Sequence, residues 1–457
     1  MKTDILILAA GQGSRMKSRL PKVLHKLAGK PMLAHVITAA QEARPASDQG
    51  STCIVIGHGA DTVKQTIGNP SVDWCLQKEQ LGTGHAVRQA LPHLNNTDTL
   101  LVLYGDVPMI KSDTIQSLVQ ACNGERLAIL TAYLPDPTGY GRIVRNNADE
   151  IQSIVEQKDA TPKQQQINEI NTGIMAIPGH NVRSWIDLLQ NDNAQGEYYL
   201  TDIVAMAVKD NIPVIAIHPE QAIEIQGINS PSQLAELERS YQQQMAEQLL
   251  ADGVTLMDPA RLDIRGNLKT GTDVVIDINV VFEGDVTLGN NVTVEPGCII
   301  RNAVIGDNTL VKAYSVIEEA SIDTHCEVGP FSRLRPQAHL HNHARVGNFV
   351  EIKKSSIGQH SKVNHLTYIG DSVMGEGVNI GAGTVTCNYD GAHKHQTHIG
   401  DNAFIGTNNS LIAPVSVGTG ATTGAGSTIS KDVPDDKLAI ARAKQRTIEG
   451  WQRPVKK

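Results

Sequence analysis

Hydrophobic residues recur with two different periods along the chain, and the change falls near its middle. Over residues 1 to about 230, short apolar runs at 5–8, 53–56, 100–104, 128–133, 172–177 and 214–217 read as buried strands. Between them, apolar positions recur at helical spacing over 32–43, 84–91 and 113–122. Strands alternating with amphipathic helices predict an α/β domain around a mostly parallel sheet. Ligands of such sheets collect at the carboxyl ends of the strands. Residues 232–251 then run without glycine or proline, with Leu234, Leu237, Tyr241, Met245 and Leu249 along one face. This predicts one long helix following Pro231, connecting two domains.

From about residue 276 the period becomes six. Ile276, Phe282, Leu288, Val294 and Ile300 begin a series that resumes at Ile305, Val311 and Ile317 and reaches Ile405, Leu411 and Val417. Glycine often follows at once, as in Leu288-Gly289 and Ile405-Gly406. A small or branched residue such as Val292, Thr309, Ser332 or Ala344 sits two positions before the next aliphatic. This is the hexapeptide pattern of a parallel β-helix, whose coils each turn aliphatics inward onto one continuous core. The rhythm fails once, at TCNYDGAHKHQTH (386–398). Loops ejected from a repeat array gather on its binding face. The expected organisation is a catalytic α/β domain over 1–229, a helical linker over 230–252 and a β-helix domain over 253–457.

Composition narrows the function. With 40 basic against 48 acidic residues, the net charge of -8 argues against nucleic acid as a bulk partner. Six scattered cysteines show no metal-ligand spacing and read as reduced cytoplasmic thiols. No stretch reaches the ~18 apolar residues of a membrane span. The apolar start is too short for a signal peptide, and Arg15 and Lys17 stand where cleavage would occur.

The first candidate chemistry is LAAGQGSRM, Leu8 to Met16, directly after a strand-like run. Its glycines let backbone N–H groups close on a phosphate. Met16 stands where a dinucleotide fingerprint needs its third glycine, and no P-loop lysine follows Gly13. Downstream, Asp106 ends a strand and suits Mg²⁺ as a hard-oxygen ligand, although Tyr-Gly-Asp also makes ordinary turns. Lys22 could equally be a solvated surface charge. HLHNH (His339, His341, His343) looks like a metal cluster but reads as solvated surface, since alternation splits neighbouring faces. Cys387 could carry an acyl group or be a spectator, and without a paired base it reads as the latter.

LAAGQGSRM, LPKVLH, QLGTGHA, LYGDVP, GYGRI, INTGI and GINS, in that order, resemble the sugar-nucleotide pyrophosphorylases. Joined to NHLTYIGD, NIGAGT and TCNYDG in a β-helix, they resemble, over the whole chain, the bacterial bifunctional family that makes UDP-N-acetylglucosamine. The resemblance implies acetyl transfer from acetyl-coenzyme A to glucosamine-1-phosphate. Uridylyl transfer from UTP would follow, supplying a precursor for peptidoglycan and lipopolysaccharide. It implies a left-handed β-helix that forms a homotrimer.

For the nucleotide site it implies Leu8, Ala9, Ala10, Gly11, Lys22, Gln77, Gly82, Thr83, Tyr104, Gly105 and Asp106, with Arg15 and Lys22 as catalytic residues that offset charge on the leaving pyrophosphate. Gly141, Glu156 and Asn171 would surround the sugar, and Asp106 with Asn229 would hold Mg²⁺. In the β-helix, His365 would be the general base, Arg335, Lys353, Tyr368 and Asn379 (with Glu351) would bind the aminosugar phosphate. Ala382, Asn388, Tyr389, Thr407, Ala425 and Arg442 would meet acetyl-coenzyme A. Thr407 departs from the serine usual in the family but keeps the hydroxyl. Two rival readings are a single-activity nucleotidyltransferase whose β-helix serves assembly or regulation, and a purely structural solenoid.

Overall fold

The computed structural model describes residues 2–68, 71–94 and 97–456. The chain forms two compact units, the first ending at Tyr241 and the second beginning at Gln242. In the first, strands β1 (Thr3–Ala9), β2 (Thr52–Ile56), β3 (Asp73–Leu76) and β4 (Thr99–Tyr104) are joined through helices α1 (Met32–Ala43), α2 (Ala60–Ile67) and α3 (Thr83–Ala90). Next come α4 (Ser112–Cys122), β5 (Leu127–Tyr133), β6 (Gly141–Arg145), β7 (Ile151–Val155) and β8 (Glu169–Pro178). Helices α5 (Gly179–Leu188) and α6 (Ile203–Lys209), strand β9 (Val214–Ile217) and helix α7 (Pro231–Ala251) complete the series.

The sheet runs β9-β5-β8-β4-β1-β2-β3, with the β6–β7 hairpin paired onto β8. Its core strands are parallel, but β8 is antiparallel to both β4 and β5, so the sheet is mixed rather than mostly parallel throughout. The hairpin is the cause: it returns the chain to the sheet without the crossover that a parallel strand requires. Ile5 and Ile7 enter one hydrophobic cluster while Leu6 and Leu8 enter another, because successive strand side chains leave opposite faces. Leu8 lies in register with Tyr104, and Gly105 N–H donates to the Leu8 carbonyl at 2.9 Å. The loops after β1 and β4 therefore emerge side by side.

Helix α7 begins with Pro231 in its first turn, where the missing N–H costs nothing. Leu237 packs with Met16, Leu27 and Met32 of the first unit, whereas Leu249 joins the core of the second.

The second unit is a parallel β-helix. The inward aliphatics expected from Ile276 to Val417 are at most 4% exposed. The coils begin earlier than residue 276: Thr255–Leu256 pairs with Val275–Ile276, and Leu262–Thr270 pairs residue by residue with Val280–Leu288. The Ile276 series breaks off here at Thr270, while Leu256, Leu262 and Leu268 fall six apart in the neighbouring phase that Val274 and Val280 continue. The ejected loop is also narrower than 386–398, because Val385–Cys387 and Thr397–Ile399 are strands. Thr386 fills an inward slot, 1% exposed, and its Oγ1 accepts from Gly370 N–H at 2.8 Å. At one corner Tyr314, Phe331, Phe349 and Leu366 take left-handed φ between 50° and 59°. Their side chains are exposed, and the three rings stack 5.3 and 5.4 Å apart between centroids.

Candidate functional site

At the carboxyl ends of β1 and β4 lies a cavity of about 220 Å³. Leu8, Ala9, Ala10, Gly11, Lys22, Gln77, Gly82, Thr83, Tyr104 and Asp106 line it. Lys22 reaches it because Gly13 turns with φ +63°, and the Lys22 Cβ occupies the space that a Cβ on Gly13 would need. Gln77 Nε2 donates to the Gly82 carbonyl at 3.2 Å, closing one wall. Burial pushes the Tyr104 phenol well above its ordinary pKa, and the nearby Glu156 and Asp106 carboxylates add to this. Tyr104 therefore serves as a neutral hydroxyl.

Lys22 Nζ bridges two oxygens, pairing with Asp106 Oδ2 and donating to Asn229 Oδ1 at 2.8 Å. Ile228 N–H donates to the Asp106 carbonyl at 3.0 Å, which ties the Asn229 loop to the end of β4. A carboxylate and an amide carbonyl thus converge on one cation. That donor set fits a hard ion such as Mg²⁺, which takes few protein oxygens and leaves its other positions to phosphates and water.

A second group forms beside Tyr104. Gly141 and Asn171 are register partners in β6 and β8, and Glu156 Oε1 stands close to Gly141 while accepting from Thr201 Oγ1 at 3.1 Å. Burial raises the Glu156 pKa, against the opposing hydrogen bond from Thr201. Gly105 is buried against Ala9, Leu33 and Val23, where it permits close packing and does not line the cavity. Arg15 is not brought to the cavity either: it is exposed on the single turn Ser14–Met16, flanked by left-handed Gly13 and Lys17.

On the β-helix, His365, Ala382, Thr407 and Ala425 form one column along a corner. Gly383 N–H donates to the His365 carbonyl at 3.3 Å, Asn408 N–H to Ala382 at 2.7 Å and Gly426 N–H to Thr407 at 2.8 Å. Arg442 returns to the same column, donating from Nη1 to the Ala425 carbonyl at 2.8 Å. The exposed His365 ring holds its Nδ1 2.9 Å from Asn348 Oδ1. An amide oxygen only accepts, so Nδ1 carries the proton and Nε2 presents its lone pair to solvent.

Arg335 pairs with Glu351 at 2.8 Å, which raises the arginine pKa. Tyr368 accepts from Asn388 Nδ2 at 3.4 Å, and the same nitrogen donates to Asp371 at 2.5 Å. Asn388 is thus buried beside Tyr368, away from the Ala382 column. Tyr389 is exposed in the ejected loop, its hydroxyl donating to the Gly391 carbonyl at 2.6 Å. Asn379 stacks with Lys362 and Phe404 on a different ladder from Lys353 and Tyr368, so one chain does not gather all four aminosugar candidates.

Sequence reasoning passed over several residues here. Gln80 and Glu197 line the strand-end cavity, and Gln80 opens the stretch QLGTGHA. Lys394 stands beside Lys353, whose like charge lowers its pKa. Asn348 gives no local signal, because it meets His365 from the preceding coil. HLHNH is only partly scattered: His339 and His341 share a face, and His343 alone turns away to stack between His325 and His360.

Two family models match the chain: the MobA-like NTP transferase domain over residues 5–164, and the bacterial transferase hexapeptide (six repeats) over 396–431. "Bifunctional protein GlmU" of Marinobacter nauticus is 54% identical over 452 residues, covering 99% of both chains. The protein of the same name from Idiomarina loihiensis is 55% identical over 457 residues, covering 100% of this chain and 99% of its own. That from Stutzerimonas stutzeri is 54% identical over 457 residues and the whole of both. With a nucleotidyltransferase unit followed by a left-handed hexapeptide β-helix, and this identity end to end, the chain belongs to the bifunctional GlmU family.

Proposed function

We propose that the two units catalyse two successive steps toward UDP-N-acetylglucosamine. The observation that carries this is the pairing, in one chain, of the strand-end cavity beside the Lys22–Asp106–Asn229 cluster with the histidine-headed column of the β-helix. In the second unit, the amine of glucosamine-1-phosphate attacks the thioester carbonyl of acetyl-coenzyme A. The C–N bond forms, the C–S bond breaks, and the amine proton passes to Nε2 of His365 and on to the departing sulfur, so that coenzyme A leaves as its thiol. Arg335, Lys353 and Tyr368 suit the sugar phosphate. Ala382, Thr407 and Ala425 offer a small-residue strip for the cofactor arm, and Arg442 offers charge for its phosphates.

In the first unit, a phosphate oxygen of N-acetylglucosamine-1-phosphate attacks the α-phosphorus of UTP and pyrophosphate leaves. Backbone N–H groups at Ala10 and Gly11 hold nucleotide oxygens, and Gln77, Gly82 and Thr83 enclose the base. Lys22 offsets the charge that develops on the leaving group. Glu156, Asn171 and Gly141 orient the sugar. Asp106 and Asn229 would hold Mg²⁺, which when bound neutralises phosphate charge. Arg15 acts, in this reading, by moving in from its exposed turn.

A coupled assay tests the whole. Given glucosamine-1-phosphate, acetyl-coenzyme A, UTP and Mg²⁺, the chain should release thiol and pyrophosphate in equal amounts. Pyrophosphate without thiol would favour the single-activity reading, in which the β-helix serves assembly.

The acetyltransfer candidates lie on separate ladders, and the column Tyr314, Phe331, Phe349 and Leu366 leaves an apolar strip uncovered. Both features support a homotrimer in which neighbouring chains complete each site. Analytical ultracentrifugation should give three chains per particle, and a fully active monomer would reject this. Use of UTP and acetyl-coenzyme A, with free cysteines, supports a cytoplasmic location. No described helix is long and apolar enough to cross a membrane.

A further inference from the structure

Three side chains on the β-helix have no part in either reaction. Ser321–Ile322 pairs in parallel with His339–Leu340, which brings Asp323 alongside His341 on the next coil. Leu340 is turned fully inward, so His339 and His341 on either side of it both turn outward. His339 Nε2 lies 3.0 Å from Asp323 Oδ1, and His341 Nδ1 lies 3.3 Å from Asp323 Oδ2. The two imidazole centroids are 4.1 Å apart, and donor atoms of all three residues fall within 4.8 Å of one another.

We propose that Asp323, His339 and His341 bind a divalent transition-metal ion of the zinc class, with solvent completing the coordination. Ligands 2.0–2.2 Å from a tetrahedral ion stand roughly 3.3–3.5 Å apart; the 3.0 and 3.3 Å carboxylate–imidazole separations approach this, and the remaining pair, within 4.8 Å, closes in as the ion binds. His341 offers a further sign of a built site: its second nitrogen, Nε2, lies 2.8 Å from Ser356 Oγ on the following coil. A polar partner behind a ligating imidazole fixes the ring and its tautomer. The side chains are between 36% and 39% exposed, so an ion can enter directly from solvent. Two imidazoles with one carboxylate favour Zn²⁺, Co²⁺ or Ni²⁺, whereas Mg²⁺ prefers oxygen donors alone. This site is therefore separate in chemistry from Asp106 and Asn229. A bound ion would tie the Ile322 coil to the Leu340 coil, with Ser356 of the next coil braced behind it.

The test is Co²⁺ titrated into the full chain with Mg²⁺ in excess, followed by visible absorption and thermal melting. One equivalent should bind with the intense d–d bands of a four- or five-coordinate ion, and should raise the Tm. Ser356→Ala should weaken Co²⁺ binding about 10-fold, and His339→Ala or His341→Ala by more. Asp106→Ala should leave the bands intact. Absent bands, bands that vanish in Asp106→Ala, or wild-type affinity in the His339→Ala/His341→Ala double variant would each overturn the assignment. The metal-free Tm of the double variant checks its folding. Should that pair destabilise the coils, a His339→Gln/His341→Gln pair, which keeps hydrogen-bonding capacity, decides by the same bands.

Discussion

His365→Ala is expected to slow thiol release from acetyl-coenzyme A by about 10²–10⁴-fold, the usual contribution of a positioned base. Uridylyl transfer to supplied N-acetylglucosamine-1-phosphate should be unchanged. A glucosamine ammonium must shed a proton before its nitrogen can attack, and Nε2 of His365 is oriented to take it by the 2.9 Å bond at Nδ1. The scaffold survives the substitution. Val363 and Ile369 on either side are fully buried, and truncating such residues would cost about 2–5 kcal/mol. The exposed imidazole carries no comparable packing. His343→Ala, from the HLHNH run, is the matched control and should retain full acetyl transfer. Loss of activity in the control with retention in His365→Ala would place the base on the wrong coil.

Asp106→Ala should cut pyrophosphate release roughly 10³-fold or more, because it removes one of the two oxygens that converge on the Lys22 ammonium. EDTA should have the same effect. Thiol release should persist in both cases, since acetyl transfer requires nothing at Asp106. Following both products in one cuvette separates the local effect from a global one. Parallel loss of the two signals would mean either unfolding or a mistaken assignment.

The β-helix was legible because its inward slot admits a narrow class of side chains at fixed spacing. Where other residues fill that slot, as with Thr386, or where the rhythm runs in the neighbouring phase, as at Leu262 and Leu268, the series through Ile276 fell silent. In the first unit the apolar strands β1, β2 and β4 announced themselves, whereas β6 and β7 did not. Gly-Arg-Ile-Val-Arg and Ile-Gln-Ser-Ile-Val are half-polar: β7 is an edge strand, and β6 buries Arg142 as a hydrogen-bonded side chain. The site divided in the same way. The cavity gathers Ala10 and Asp106 because their motifs follow adjacent strand ends, and Lys22 joins them from the turn Lys22–Leu24. Arg15 shows the limit: two left-handed turns carry it outward although it lies four residues from Gly11. Asn348 and Lys394 meet their partners only after the chain has coiled, and no local pattern encodes that.

The column from His365 to Ala425 also makes distance along the second site discrete. Successive rungs of a parallel ladder stand about 4.8 Å apart, so the three steps between these residues span roughly 14 Å. A flexible thioester arm laid along that strip, as proposed above, would be measured against the pitch of the backbone rather than against any side chain. Point changes at Ala382, Thr407 or Ala425 can roughen the track, but only gain or loss of a complete coil can lengthen or shorten it. On the proposed assignment of Arg442 to the cofactor's phosphates, the solenoid would act as a ruler, graduated by its own hydrogen bonds, for how far from them the acyl carbon comes to rest.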